Sequence, residues 1–62
     1  QLCCNVSLAG QLYLYDSTGK LCNYNSLAQG DNYISAPNVA GIYLAKIILM
    51  TGEEKDVKIL VL

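Results

Sequence analysis

The 62-residue chain has no histidine, and its four basic residues are all lysine, so it has no arginine either. Without histidine there is no Cys–His pair for nucleophilic catalysis and no imidazole to complete a zinc set. The three cysteines, Cys3, Cys4 and Cys22, form no C-x-x-C pair. The lysines are dispersed and the net charge is −1, which excludes the basic footprint that nucleic acid requires. No apolar run approaches the roughly 20 residues that span a bilayer as a helix. The longest, "IILM" at 47–50, is strand-sized. No nucleophile–base or metal constellation is left, so an enzyme is not expected, nor a cofactor.

What is present makes one domain at most. A chain of 6.7 kDa exposes roughly 9,700 Å² unfolded and roughly 3,900 Å² folded. With about 60% of the buried area apolar, burial contributes roughly 85–90 kcal/mol at about 25 cal/mol/Å². Ordering the chain costs roughly 90 kcal/mol. The two cancel, so the domain is marginal alone and would gain from a partner or from the rest of a larger protein. There is no initiating methionine and no signal-peptide pattern, which reads as a piece of something longer.

Glycines at 10, 19, 30, 41 and 52 divide the chain into strand-length pieces, the turn spacing of a sandwich or barrel. The pieces alternate with period two. In "LCCNVSL", Leu2, Cys4, Val6 and Leu8 share one face, against Cys3, Asn5 and Ser7. In "QLYLYD", Leu12 and Leu14 oppose Tyr13 and Tyr15. "KLCNYN" and "DNYISA" are shorter and more polar and read as edge strands. "GIYLAKIILM" places Tyr43, Ala45, Ile47 and Leu49 toward the core. Its other face, Ile42, Leu44, Lys46, Ile48 and Met50, is unusually apolar. Coverage by neighbouring strands or a flanking domain explains that face more simply than an exposed docking patch. The last run, "EKDVKILVL", turns Val57, Ile59 and Val61 inward and pairs with residues 42–50.

The turns have mechanisms. In "DSTG", Asp16 suits the first turn position and Gly19 the left-handed position of a three-residue hairpin loop. "MTGEEK" repeats this around Gly52. The only proline, Pro37, cannot donate to a ladder, so "APNVAG" is a crossing loop. "STGK" is not a phosphate-binding loop, because Leu14 and Leu21 stand where the first glycine and the hydroxyl residue belong. Asp16 and Asp31 lie in different loops without a ligand series and read as turn residues rather than calcium ligands. Adjacent Cys3 and Cys4 point to opposite strand faces. Free thiols, one buried and the others exposed, are the simpler reading; a disulfide from Cys3 or Cys4 to Cys22 is the alternative.

Two stretches together carry a family resemblance. "LYLYDSTGKLC" (12–22) resembles a "v-x-v-Y-d-x-x-G-r/k-l-v" hairpin. "NVAGIYLAKIILMTGEEKDVKILVL" (38–62) resembles an "l-x-x-G-i-Y-i-v-k-v … g … k-k-v-v-v" ending, and "GDNYISAPN" a "G-x-n-x-i-x-l-x-n" link. The pattern is that of the C-terminal sorting domain, type A, of type IX secretion system cargo proteins, and it covers residues 8–62. The family's opening "P-N-P" segment and first strand have no counterpart here; residues 1–8 correspond to the strand after it. Cys4 and Cys22 stand at valine or isoleucine positions.

The resemblance implies an all-β, immunoglobulin-like antiparallel β-sandwich of about six to seven short strands, with residues 1–62 a single domain of a larger secreted protein. It implies an address with no catalysis. The domain would direct an upstream cargo domain through the periplasm to the outer-membrane type IX translocon and the cell surface, where a sortase-like peptidase removes it. Candidate recognition residues on the matched motifs are Gly19, Lys20, Gly41, Tyr43, Lys46, Lys58, Val61 and Leu62. Each has a structural role as well: a turn glycine, a solvated lysine, and a tyrosine bonding back to a loop as in a tyrosine corner. The alternatives are a non-catalytic adhesion or fibronectin-like accessory module, or a strand-exchanging pilus-type subunit. An exposed sheet edge also predicts self-association at high concentration.

Overall fold

A computed structural model describes residues 2–62 as six strands: β1 Leu2–Val6, β2 Gly10–Tyr15, β3 Leu21–Leu27, β4 Gly30–Ile34, β5 Gly41–Leu49 and β6 Glu54–Val61. All pairings are antiparallel. β1 and β4 form a two-stranded sheet; the other four form a sheet in the order β3-β2-β5-β6. The two hairpins, β2–β3 and β5–β6, thus lie in the larger sheet. The chain crosses between sheets at residues 7–9, 28–29 and 35–40, the last containing Pro37.

Period-two patterning builds the core. Leu12 and Leu14 from β2, Leu27 from β3, and Tyr43, Ala45, Ile47 and Leu49 from β5 are buried against Val6 and Ile34 of the small sheet. Leu2, Cys4, Ile59 and Val61 pack at its margin. The molecule is therefore an antiparallel β-sandwich, as the alternation predicts. β3 and β4 are edge strands, also as expected, because their partners lie on one side only.

Several expectations fail, each for a packing reason. Leu8 lies past the end of β1 and is 41% exposed, because the chain is already crossing to the larger sheet. Val57 faces inward but is 44% exposed. Two strands cannot cover four, and β6 is the strand left without a roof. Asp31 is a strand residue, not a turn residue; its carboxylate accepts the Asn5 side-chain amide at 2.7 Å across the β1–β4 pair. Gly10 marks no turn either. It opens β2 where the backbones of β2 and β5 come closest: a Cβ there would lie 2.3 Å from the Ile48 carbonyl oxygen. The surface of 4254 Å² exceeds the roughly 3,900 Å² of a closed domain this size, in keeping with the incomplete roof.

One side chain fastens the small sheet. The Asn32 amide donates to the carbonyls of Ala28, Gly30 and Cys4 at 2.8, 3.2 and 3.3 Å, while its oxygen accepts the Ala28 N–H at 2.9 Å. It closes the β3–β4 turn and ties it to β1.

Candidate functional site

The β2–β3 turn is built by one carboxylate. Asp16 Oδ1 accepts the Thr18 hydroxyl at 2.6 Å, the Thr18 N–H at 2.9 Å and the Lys20 N–H at 3.0 Å. The Asp16 N–H donates to the Lys20 carbonyl, and the Gly19 N–H to the Asp16 carbonyl. Ser17, Thr18 and Gly19 form the expected three-residue loop, with Gly19 at φ +87°. The ladder then shifts register, pairing Leu14 with Asn23 and Tyr15 with Leu21, so Cys22 is the extra residue of a bulge. The Thr18 hydroxyl, then the Lys20 N–H, hold the Asp16 carboxyl below the usual carboxylate range.

At the same end of the sandwich, the Tyr43 hydroxyl donates to the Val39 carbonyl at 2.6 Å. This anchors the crossing loop to β5, as the tyrosine-corner expectation has it. Gly41 sits opposite Val61, the last residue of β6. A shallow concavity of about 470 Å³, lined in part by Gly19, Tyr43, Leu44 and Lys58, opens between this corner and the hairpin. A contiguous one of about 350 Å³ reaches Gly41.

Of the eight candidate residues, this end gathers Gly19, Gly41, Tyr43 and Lys58, with half-buried Val61 in the adjoining ladder. It does not gather the rest. Lys20 is exposed and lines neither concavity. Lys46 stands mid-sheet, opposite Tyr13 and Asp56, with its ammonium 3.3 Å from Glu54. The Glu54 hydrogen bond holds the Lys46 ammonium above its ordinary pKa. Leu62 lies beyond β6 and is 100% exposed. The only carboxylate in the concavities, Asp16, is occupied by its own turn. What this end offers is a contact surface of apolar side chains with one lysine.

The outer face of the larger sheet is open. Ile42 is 51% and Leu60 65% exposed, and they pair directly. No strand among the described residues covers them, so the expected coverage from neighbouring strands is not met within this chain. Tyr13 and Tyr24 stack on this face with ring centroids 5.0 Å apart.

On the inner side, a groove of about 210 Å³ runs between β1 and β6, walled by Leu2 and Cys4 and floored by Val57 and Ile59. A further hollow at its end is bounded by Asn5, Ser7 and Lys55. Burial pushes the Cys4 thiol up, neighbouring Cys3 adds to the rise, and Lys55 offsets part of it. All three cysteines are free, Cys3 and Cys22 exposed and Cys4 half-buried, so the disulfide alternative is not realised. The described residues gather no cluster of three or more potential metal ligands.

Sequence reasoning missed two residues. Asn32 stands at the "n" of the quoted link, but its partners 28 residues away could not be read from it. Lys55 was read as part of a solvated tip, although period two from Val57 already places it on the inner face. A comparison of the chain with protein-family models, with curated proteins and with solved structures finds no match.

Proposed function

We propose that this domain is a non-catalytic address that directs an upstream cargo domain through the type IX secretion system to the cell surface. The observation that carries the reading is the ordered pair of hairpin motifs, "YDSTGK" and "GIYLAK…KDVKILVL". The fold is compatible with it. Both motifs occupy one continuous four-stranded sheet, and Gly19, Gly41, Tyr43 and Lys58 meet at one end beside the close of β6. A translocon reading that end would contact the turn, the tyrosine corner and the last strand at once.

The test removes Val61 and Leu62 from a fusion carrying a folded cargo upstream. The cargo folds on its own core and stays active. Under the sorting reading it accumulates in the periplasm. A Val61→Thr control keeps length and shape, separating lost recognition from lost stability. An adhesion module leaves delivery unchanged and loses only its own binding, so normal surface delivery of the truncated fusion refutes the reading. The groove beside β1 favours a second reading, a subunit that borrows a strand, in which delivery of cargo plays no part.

A further inference from the structure

The groove between β1 and β6 has the dimensions and the charge of a strand-binding site. β1 pairs with β4 alone among the described residues, so its other edge presents unpaired backbone groups. Beneath that edge, at the roughly 10 Å that separates packed sheets, lies β6 with its inward row only partly covered. That row is Lys55, Val57, Ile59 and Val61, with Val57 and Ile59 flooring the groove. Alternate residues on a strand are roughly 6.8 Å apart. One further strand beside β1 would therefore set side chains over Ile59, Val57 and Lys55 in turn.

The charge on the floor selects the occupant. Lys55 opposes Ile47, a buried core residue, so it occupies an inward position on an edge strand. The one ion pair among the described residues is Lys46–Glu54, which leaves Lys55 without a carboxylate. Its charge reaches the Cys4 thiol across the groove. An inward-pointing lysine also opposes edge-to-edge pairing with an identical chain. Leu2, Cys4 and Asn5 meet the groove in an order that runs opposite to β6, from the Ile59 end to the Lys55 end. Antiparallel pairing, the more stable kind per residue, fixes the order of the incoming strand.

We propose that the β1 edge binds an extended peptide strand, antiparallel to β1, with a carboxylate at one position and apolar side chains two and four positions later. The carboxylate meets Lys55, and the apolar pair fills the groove over Val57 and Ile59. None of the five acidic residues of this chain is followed by apolar residues at both of those spacings. The occupant is thus a different segment from any in these 62 residues, and a second copy is disfavoured. This inference stands apart from the sorting reading, because it concerns the inner groove and not the end where Gly19 and Tyr43 meet.

The experiment titrates the chain with a seven-residue blocked peptide holding Glu second, Val fourth and sixth, and Thr elsewhere. Binding is followed through the amide resonances of β1 and the methyl resonances of Val57 and Ile59. Saturable shifts confined to β1 and those methyls are expected. Lys55→Glu should weaken this peptide at least tenfold and favour the version carrying Lys in place of Glu. Val57→Lys, at a half-exposed position the fold tolerates, should abolish binding. The proposal is overturned by shifts on β3 or the outer face, by equal affinity for both peptides, or by tighter binding of the reversed sequence. Sedimentation showing that a second copy takes up the edge overturns it as well.

Discussion

Replacing Gly10 with alanine sets two effects against each other. In most strand interiors Gly→Ala stabilises by roughly 0.5–1 kcal/mol, because it restricts the unfolded chain. At Gly10 the new Cβ would lie 2.3 Å from the Ile48 carbonyl oxygen and 2.9 Å from Leu49 Cα, both backbone atoms that no rotamer change moves. Reaching ordinary contact at 3.4 Å requires the two backbones to part by about 1.1 Å. That separation breaks the Met50 N–H to Ala9 carbonyl bond and the first ladder pairing of Gly10 with Leu49. Each lost bond costs about 1 kcal/mol, and the residual strain adds about 1–3 kcal/mol. The steric effect wins, with a net loss of roughly 2–4 kcal/mol. At an m-value near 1 kcal/mol per molar urea, a domain this marginal would be unfolded without denaturant. Urea titration followed by far-ultraviolet circular dichroism and tyrosine fluorescence reads the difference. Gly19→Ala is the comparison. Its Cβ meets nothing within 4 Å, so it should lose only the roughly 1–2 kcal/mol of a left-handed residue. A Gly10→Ala protein as stable as the parent would refute the close approach of β2 and β5.

Tyr43→Phe should cost about 0.5–1.5 kcal/mol in urea unfolding, since the exposed loop lets water reach the Val39 carbonyl; a loss above that range would mean that the corner also organises β5. A thiol reagent should modify Cys3 and Cys22 quickly and Cys4 slowly, because Cys4 is half-buried and its pKa is raised; equal rates at Cys3 and Cys4 would contradict the β1 register. Asp16 has a lowered folded pKa, so its contribution is present above the unfolded carboxylate pKa and is lost as pH falls through the folded value. The stability gap between the parent and Asp16→Asn should therefore close as the solution is acidified through that window, and a gap constant with pH would sink the carboxylate's role in the turn.

Local signals were legible where local physics decides. Period two picked out Tyr43, Ala45, Ile47 and Leu49, all of which are buried. Turn chemistry placed the left-handed glycines 19 and 52, because a three-residue loop needs that conformation whatever surrounds it. Coverage was not legible. Alternation assigns Val57 to the inner face, but whether another strand lies above it depends on how many strands each sheet holds. Leu8 failed for a related reason: the period continued while the strand had ended. Gly10 looked like a further punctuation mark, and only the distance to Ile48 distinguishes it from one. Of the candidate recognition residues, those near the Tyr43 corner converge because β2, β5 and β6 are neighbours. Lys46 and Lys20 belong to the same motifs in sequence but not to the same end in space.

The most direct measurement of the sorting account is the surface-exposed fraction of a folded reporter carrying residues 1–62 at its C-terminus. It is made by protease accessibility on intact cells of a bacterium with a type IX translocon, and again in a strain lacking that translocon. The account predicts surface delivery only when the domain and the translocon are both present, with the reporter held in the periplasm otherwise. Delivery without the domain, delivery without the translocon, or retention when both are present would contradict it.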